Sequence, residues 1–466
     1  MLETLVELDR ARAGLAGQLT TALRDAIAEG RLAPGTRLPS SRALAADLGL
    51  SRGVVVEAYE QLVAEGRLLS RRGAGTVVAP ALVLREPPSE DSRGYPTPCH
   101  GSGIRPMRPG VPDPAMFPRG AWRRAYERAL GAMTDADLDY GDPAGARRLR
   151  TELASYLGRV RAARVDAGAL VVTTGAAQAF ALLAAALRDA GITEVGFEDP
   201  GSHGVRGHLE THGLRLVPVP VDRDGLDVAA LARTGVRAVF VTPAHQFPSG
   251  VVLAPARRSA LVEWARRTGG LILEDDYDAE FRYDRDPVGC LQGIAPDAVA
   301  YVGSVSKALA PALRLGWLAV PGKWRAAVEA RKTWADLGGP VLEQLAFAEL
   351  LAGGAYDRHL RRARSEHRRR RDALVAALDR HLPGLRVTGV AAGLHLVVEL
   401  PPEFDDVAVV ARAAEAGLAP LPLSRTRLTA GGRPGLVLGY AATSPGEIDR
   451  AVALLAAVLG SGRSNG

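Results

Sequence analysis

Lys307 stands where covalent chemistry with an aldehyde is possible. It closes the segment Gly303–Lys307, which follows the apolar stretch Ala300–Val302. A lysine that forms a Schiff base needs a place at a strand end, small neighbours that admit the aldehyde, and a cation for any phosphate that the aldehyde carries. Arg314, seven residues further on, can bind a phosphate with two hydrogen bonds. Two hydroxyl groups could add neutral donors, those of Ser304 and Ser306.

An acidic cluster with a tyrosine follows a second apolar stretch. Leu271–Leu273 leads into Glu274–Asp278, which holds four acids within five residues. Ligands of α/β proteins usually bind beyond the carboxyl ends of the strands. One carboxylate here could pair with the protonated nitrogen of a ligand that contains a pyridine ring. The phenol of Tyr277 could bind an oxygen on the same ring. The alternatives are a Mg²⁺ site or a loop of solvated carboxylates.

A third segment has the composition of a phosphate cradle. Thr173–Gln178 reads as a strand end, a glycine and small residues that open a helix, whose N–H groups can bind a phosphate. Taken alone, this turn is common in α/β proteins, and the Ser-x-Ser-Lys segment is weak because most lysines in such loops are solvated. The order and spacing of the three segments strengthen the interpretation that they form one ligand site.

The elements that position these segments alternate between helix and strand. The predicted helices are about 119–132, 143–158, 176–190 and 254–268. The predicted strands are Leu170–Thr173, Val195–Glu198, Val236–Thr242, Leu271–Glu274 and Ala298–Val302. Such alternation predicts an α/β domain with a mostly parallel sheet. Residues 330–460 indicate a smaller α+β lobe, and the proline-rich stretch 81–108 indicates a linker.

Together the segments resemble the fold-type I enzymes that use pyridoxal 5′-phosphate (PLP), the aspartate aminotransferase superfamily. The resemblance runs from about residue 109 to 460 and includes Tyr140–Gly145. It implies that Lys307 binds PLP as a Schiff base, that Asp275 pairs with the pyridine nitrogen, and that Tyr277 binds the ring oxygen. It also implies phosphate contacts from Arg314, from the backbone amides of Gly175 and Ala176, and from Tyr140 of a neighbouring subunit.

Three positions depart from the aminotransferase pattern. Phe247 stands where the family has an asparagine that touches the ring oxygen, and Ser202 stands where an aromatic residue stacks on the ring, with His203 as an alternative stacking residue. The strand Gly435–Tyr440 lacks the arginine that clamps a substrate carboxylate. Efficient transamination needs a positioned substrate. These departures therefore favour PLP binding over turnover. Other arginines could bind an anion or be surface charges, namely Arg206, Arg425, Arg427 and Arg433.

Residues 1–80 read as three short helices and a β-hairpin. Ser51 can cap a third helix over Arg52–Gly66, and the hairpin Leu68–Val78 has a basic, glycine-bearing tip. A helix, a short turn and a second helix are typical of a DNA reader, and the hairpin would follow the phosphate backbone. The alternative is a small packing domain whose arginines are solvated.

The same residues closely resemble the GntR-type winged helix. The resemblance rests on Gly30–Arg42, on the Ser51-Arg52 pair, on Glu65–Arg67 and on Gly73–Thr76. It implies double-stranded DNA as a partner. The residues that it places at the DNA are Arg42, Ser51, Arg52, Arg72 and Gly75.

The fused arrangement resembles the MocR/GabR subfamily of transcription regulators. That subfamily implies a head-to-tail homodimer that senses PLP, alone or with an amine or amino acid, and that controls vitamin B6 or amine metabolism. The other hypothesis is an active aminotransferase with an appended DNA-binding domain. The arginine run within 361–371 could assist DNA contact, although a solvated helix face is the simpler interpretation.

The amino-acid composition further limits the possible classes of function. The net charge of +6 is small against 58 basic and 52 acidic side chains, so charge alone only permits nucleic-acid binding. The two cysteines, Cys99 and Cys290, have neither disulfide-framework nor zinc spacing, and we expect no metal. No uninterrupted apolar stretch reaches membrane-spanning length. We expect a cytoplasmic protein without a membrane segment.

Overall fold

The computed structural model describes residues 8–10, 13–71, 75–80, 106–278, 280–283, 288–389 and 391–461. The chain divides into two compact units, residues 1–99 and 100–466. Each unit has its own apolar core, and the two are described separately.

The first unit packs three helices against a small antiparallel sheet. Its helices are α1 (Leu15–Ala28), α2 (Ser41–Leu48) and α3 (Arg52–Ala64). Its strands are β1 (Arg37–Leu38), β2 (Leu68–Arg71) and β3 (Gly75–Val78), in the order β1-β3-β2. Serine hydroxyls cap α2 and α3: Ser40 accepts a hydrogen bond from the Ala43 amide, and Ser51 accepts one from the Val54 amide. The predicted winged helix is confirmed.

The second unit is built on an eight-stranded mixed sheet in the order β4-β11-β10-β9-β8-β5-β6-β7. Its strands are β4 (Leu170–Thr173), β5 (Glu194–Asp199), β6 (Arg215–Asp222), β7 (Gly225–Leu226), β8 (Ala238–Val241), β9 (Leu271–Asp275), β10 (Val299–Ser304) and β11 (Gly316–Ala319). The five central strands β10, β9, β8, β5 and β6 are parallel, whereas β11 runs antiparallel to both β10 and β4. Every residue of β8, β9 and β10 is buried, as expected for strands covered on both faces.

Helices cover this sheet and continue into a smaller lobe. They are α4 (Arg119–Ala132), α5 (Arg147–Arg161), α6 (Ala176–Asp189), α7 (His203–Thr211), α8 (Val228–Thr234), α9 (Pro255–Thr268), α10 (Gly322–Asp336), α11 (Val341–Ala352), α12 (Ala355–His381), α13 (Asp406–Glu415) and α14 (Pro445–Ser461). The helix predicted at 143–158 begins later, at Arg147. The reason is a turn in which the Asp142 carbonyl accepts from the Gly145 amide and the Asp142 carboxylate accepts from the Ala144 amide.

The smaller lobe has an antiparallel sheet in the order β12-β13-β15-β14. Its strands are β12 (Arg386–Thr388), β13 (His395–Glu399), β14 (Leu421–Pro422) and β15 (Gly435–Gly439). Helix α14 packs against α12 and α13. The predicted fold class, a fold-type I domain with a large mixed-sheet lobe and a small α+β lobe, is confirmed.

Within the part of the chain that the structure describes, every helix is too short or too polar to cross a membrane.

Candidate functional site

The parallel strands bring Lys307 and Asp275 to the same edge of the large sheet. Asp275 is the last residue of β9 and is paired in register with Val302 of β10. Lys307 lies three residues beyond the end of β10, in a turn held by a hydrogen bond from the Val305 amide to the Leu315 carbonyl. The two charges are close enough that Asp275 raises the pKa of Lys307.

The amine of Lys307 is half-buried and bound to backbone. Its Nζ donates a hydrogen bond to the carbonyl oxygen of Gly110. Burial lowers the pKa of Lys307, an effect that Asp278 and Asp275 oppose and that Arg108 reinforces. The amine therefore loses its proton more readily than a solvated lysine.

The four acids of the cluster have different surroundings. Glu274 is buried and accepts hydrogen bonds from the backbone amides of Leu291 and Gln292 at 2.8 and 2.9 Å. Asp276 forms a buried bidentate ion pair with Arg161, at 2.7 and 2.9 Å, and also accepts from the Tyr301 hydroxyl. These two carboxyl groups hold the strands and α5 in place.

Asp275 differs from its neighbours because no hydrogen bond within the described residues satisfies its carboxyl group. Burial, together with the charges of Asp276 and Asp278, raises the pKa of Asp275 to about 8. A buried carboxyl of this kind gains most from a cation placed beside it. In the described parts of the chain, no group of three His, Cys, Asp or Glu side chains is arranged to hold a metal.

The first turn of α6 and Arg314 form an anion cradle. Gly175 precedes α6 with φ +86° and offers no side-chain cap, so the first amides of the helix remain available. Arg314 lies across this turn, where its Nη2 donates to the Thr174 carbonyl at 2.8 Å. A Cβ on Gly175 would lie 2.7 Å from that Nη2 atom. The position therefore requires glycine, and Ala176 is the first helical residue after it.

The serines before Lys307 are used partly in the turn itself. Ser304 is buried, and its hydroxyl accepts a hydrogen bond from the Ser306 amide at 3.3 Å. Ser306 is half-buried beside Lys307. Their expected contacts with a phosphate stay predictions.

Tyr277 contacts a polar side chain, that of His245, which the sequence did not indicate. Its hydroxyl lies 3.0 Å from Nδ1 of His245, and that same nitrogen lies 2.9 Å from a carboxylate oxygen of Asp278. Burial and the negative charge of Asp278 raise the pKa of Tyr277 well above its ordinary value. The phenol is thus kept protonated and held in place.

Phe247 lies in a turn after β8 that is held by hydrogen bonds of the Gln246 side chain. The Gln246 side chain accepts from the Ser249 amide and hydroxyl, and donates to the buried carboxyl of Glu198. Burial raises the pKa of Glu198 to about 7. Phe247 lies edge-on to Tyr277, with ring centroids 6.3 Å apart.

Two predicted cofactor contacts lie at the surface. His203 is exposed in the first turn of α7, whose cap is the Ser202 hydroxyl. Tyr140 is 82% exposed. Within this single chain the structure does not bring Tyr140 or His203 into contact with Lys307.

In the first unit, the predicted DNA-binding residues Ser51 and Arg52 lie at the start of α3, Arg42 lies on α2 and Gly75 lies on β3. Arg42 and Arg52 are exposed, and Arg52 Nε lies 3.5 Å from the Ser41 hydroxyl. Ser51 caps α3. Gly75 begins β3 with φ +86°, and a Cβ there would lie 3.1 Å from the guanidinium of Arg37. Arg72 lies outside the described residues.

The basic run on α12 is tied partly to the rest of its own unit. Arg364 donates to the Glu280 carbonyl at 2.9 Å, and buried Arg370 pairs with Asp113 and Glu366. Arg361 and its exposed neighbours lie on the helix face, in line with the simpler interpretation.

The site contains residues that the sequence analysis missed, namely Gly110, Arg161, His245 and Asp278. Arg161 is one arginine among many, and Gly110 lies at the edge of a stretch interpreted as linker. Asp278 was part of the acidic cluster, but its partner His245 is 33 residues away. Only the proximity of His245 to the end of a buried strand could have indicated its position.

Comparisons with known proteins agree with both units. Residues 117–455 match the family described as aminotransferase class I and II, and residues 15–78 match the bacterial regulatory proteins of the gntR family. The chain is 36% identical over 429 residues to the HTH-type pyridoxine biosynthesis transcriptional regulator PdxR of Corynebacterium glutamicum, covering 91% of each chain. It is 33% identical to the probable rhizopine catabolism regulatory protein MocR of Rhizobium meliloti, covering 92% of this chain and 90% of the relative.

Solved structures resemble the second unit. An archaeal alanine:glyoxylate aminotransferase superimposes with a TM-score of 0.72 at 26% identity, covering 78% of this chain and 92% of that one. The α-aminoadipate aminotransferase LysN of Thermus thermophilus, solved with N-(5′-phosphopyridoxyl)-L-leucine, superimposes with a TM-score of 0.70 at 27% identity, covering 78% of this chain and 94% of that one.

The fold and the site define a winged-helix DNA-binding protein with a fold-type I aminotransferase domain. The chain belongs to the aminotransferase class I and II family and, with its gntR-type head, to the MocR-like group of transcription regulators.

Proposed function

We propose that this protein is a transcription regulator whose affinity for DNA depends on whether PLP is bound at Lys307. One observation carries the proposal: the Lys307 amine is bound by Gly110, which lies near the beginning of the second unit. The amine that receives the cofactor thus also holds the chain that leads to the DNA-binding head. The relatives are named as HTH-type regulators, in agreement with this function.

The residues present fit PLP. PLP supplies an aldehyde that condenses with a primary amine and a pyridine ring that withdraws electrons. Lys307 offers an amine whose pKa is lowered by burial, and Asp275 offers a buried carboxyl that lacks a hydrogen-bond partner among the described residues. Gly175 and Arg314 offer a cradle that a Cβ would fill. We assign these residues to the cofactor, with Tyr277, Ala176, Ser304 and Ser306 as further contacts.

The segment Met107–Gly110 contacts both Lys307 and β15, so a change at Lys307 can alter the position of the segment. The Gly439 amide of β15 donates to the Met107 carbonyl at 2.9 Å, and a Cβ on Gly439 would overlap the Arg108 carbonyl. Condensation of the Lys307 amine with an aldehyde would release both amine hydrogens as water, so the hydrogen bond to the Gly110 carbonyl would be lost. The segment would then lose its anchor at Gly110, while the hydrogen bond between Met107 and Gly439 would remain.

The apolar character of the site wall disfavours the alternative of an active aminotransferase. Phe247 packs against a small cluster of Val397, Leu423 and Val437, so β15 presents valine to this wall and no cation. A substrate carboxylate would find no partner in it. We therefore assign PLP as the sensed ligand, alone or with an amine. Multiple turnover with an amino acid and a keto acid would show the enzyme instead.

We also propose a head-to-tail homodimer. Among the described residues, five large apolar side chains on α4, α10 and the segments that follow them are exposed, and a second subunit could cover them. They are Leu130, Leu138, Tyr140, Trp334 and Leu337. In such a dimer Tyr140 would reach the phosphate bound by the partner subunit. We place the protein in the cytoplasm with its DNA, and expect genes of vitamin B6 or amine metabolism among its targets.

DNA binding measured with and without PLP tests the function. We expect PLP to change the affinity of the full chain for the promoter region beside its own gene, in an electrophoretic mobility assay. In Lys307→Ala the visible absorbance of covalently bound PLP and the PLP response should both disappear, while the chain still binds DNA, with the affinity expected once Gly110 is released. An unchanged PLP response in Lys307→Ala would refute the assignment.

A further inference from the structure

Three side chains next to the cofactor lysine form a compact hydrogen-bonded group. The hydroxyl of Tyr277 lies 3.0 Å from His245 Nδ1, and the carboxylate of Asp278 lies 2.9 and 3.2 Å from the same nitrogen. The side chains of His245 and Asp278 are only 3% and 1% exposed. Besides burial, the negative charge of Asp278 raises the pKa of Tyr277. Nδ1 of His245 therefore lies between the other two members of the group and contacts both.

The small lobe holds this group together from the opposite side. Gly393 has φ +72° and donates its amide to the Phe281 carbonyl at 2.7 Å. A Cβ on Gly393 would overlap the His245 ring and lie 2.6 Å from Asp278. Gly393 thus packs directly against both the histidine and the carboxylate.

The donors and acceptors of the group make Asp278 the acceptor for Nδ1 of His245. A carboxylate can only accept, whereas the Tyr277 hydroxyl and a protonated Nδ1 of His245 can each donate. When Nδ1 of His245 donates its hydrogen to Asp278, that nitrogen cannot accept a hydrogen bond from Tyr277. The phenol then keeps its own hydrogen for a ring oxygen of a ligand.

We propose that Asp278 and His245 are positioning residues of the cofactor site, which fix the phenol of Tyr277 and determine which acceptor takes its hydrogen bond. This inference rests on the proposed function, since it assigns Tyr277 to the cofactor. It sets Asp278 apart from Asp276, whose partner is Arg161. Asp278 pairs instead with groups that can release and take up a proton.

Other charged and titratable groups face this one from several elements. They are Asp275 from β9, Glu198 from β5, Lys307 from the turn after β10, His395 from β13, and the phenols of Tyr283 and Tyr440. The His395 ring lies 5.2 Å from the His245 ring, and its Nε2 contacts the Pro248 carbonyl at 3.1 Å. Burial lowers the pKa of His395 to about 4, so this ring adds no positive charge at neutral pH.

A double-mutant cycle on the full-length chain tests the proposal. Kd for PLP is measured by visible absorbance for wild type, Asp278→Asn, Tyr277→Phe and the double variant. We expect Asp278→Asn to weaken PLP binding about tenfold when Tyr277 is present, and less than about twofold in Tyr277→Phe, because the side chain acts through the phenol. His245→Gln is measured in the same two backgrounds and should behave alike.

A second readout separates positioning from general stability. The negative charge of Asp278 raises the pKa of the Lys307 amine. The same charge would favour the protonated form of that nitrogen when it is bonded to PLP, so the pH midpoint of the bound-PLP absorbance should move to lower pH in Asp278→Asn and return in Asp278→Glu. Equal losses of affinity with and without the Tyr277 hydroxyl would overturn the inference, as would wild-type affinity in both Asp278→Asn and His245→Gln. A wild-type chain that binds no PLP would overturn the proposed function as well.

Discussion

At the scale of single residues, the site is defined by how each charge is compensated. Glu274 is satisfied by backbone amides and Asp276 by Arg161, so neither carboxyl group needs a ligand. Asp275 and Lys307 are different, because burial raises the pKa of the acid to about 8 and lowers the pKa of the amine. Burial has therefore moved both groups towards their neutral forms, the state in which a lysine can attack an aldehyde.

The lowered pKa of Lys307 predicts a specific pH dependence of PLP binding. Only the neutral amine attacks an aldehyde, so the association rate should rise with pH and level off above the pKa of Lys307. We expect the midpoint below the ordinary lysine value of about 10.4, measured by stopped-flow absorbance over a pH series. Lys307→Ala should show no covalent phase at any pH. A midpoint at or above the ordinary value would contradict the buried environment of the amine.

Much of this site could be predicted from residues at strand ends, and some of it could not. Lys307, Asp275, Tyr277 and Gly175 follow short apolar stretches, and a parallel sheet brings such positions to one edge. The pair of His245 with Asp278 depends on the approach of the small lobe at Gly393, which no local pattern encodes. The cofactor roles of these residues stay predictions.

At the scale of secondary structure, two elements have opposite sensitivities to substitution. Helix α3 depends on a single side-chain cap, the Ser51 hydroxyl, at the end expected to meet DNA. Strand β15 depends on the absence of a side chain at Gly439, where the backbone of Arg108 passes directly over it. Removal of the hydroxyl at Ser51 should therefore destabilise α3. Addition of a carbon at Gly439 should destabilise the packing of β15.

The cap of α3 can be separated from DNA contact by two substitutions. Ser51→Ala removes the acceptor for the Val54 amide and should lower the free energy of unfolding of the first unit by about 1 kcal/mol. Ser51→Asp retains a capping oxygen and should keep the thermal stability, but its charge should weaken binding to DNA phosphates. Thermal unfolding and a mobility assay measure the two effects. Full DNA affinity in a stable Ser51→Asp chain would place this helix end away from DNA.

The contact between β15 and Met107–Gly110 predicts a variant that binds PLP without responding to it. Gly439→Ala should displace the segment, since the added carbon would overlap the Arg108 carbonyl. We expect near-normal PLP absorbance but at least a fivefold smaller effect of PLP on DNA affinity, because about 1 kcal/mol of coupling is lost.

Gly435→Ala is the matched control, since it adds the same carbon to the same strand but against Val398 and Leu423. It should keep the response to PLP. Suppose that Gly439→Ala keeps the full effect of PLP on DNA affinity and that Met107–Gly110 stays in contact with β15. PLP binding would then affect DNA affinity through other contacts.

At the scale of the whole molecule, the sequence predicted the two units and their families better than the order of strands. Antiparallel β11 lies between β4 and β10, and nothing in Gly316–Ala319 distinguishes it from a parallel strand. Its placement depends on the close approach of Gly316 to Gly175, where a Cβ would lie 2.9 Å from the Gly175 Cα. The absence of side chains at Gly175 and Gly316 therefore allows both the packing of β11 and the formation of the anion cradle.

The proposed dimer makes a prediction that a single chain cannot fulfil. Tyr140 is 82% exposed, and we assign it to the phosphate bound by the partner subunit. Tyr140→Ala and Lys307→Ala homodimers should then both bind PLP poorly, each for a different reason. When the two variants are co-expressed with different tags and the mixed dimer is purified, one of its two sites should combine an intact Lys307 with an intact Tyr140. That dimer should bind one PLP with wild-type affinity, measured by absorbance titration. A mixed dimer no better than the Tyr140→Ala homodimer would show that each subunit builds its site alone.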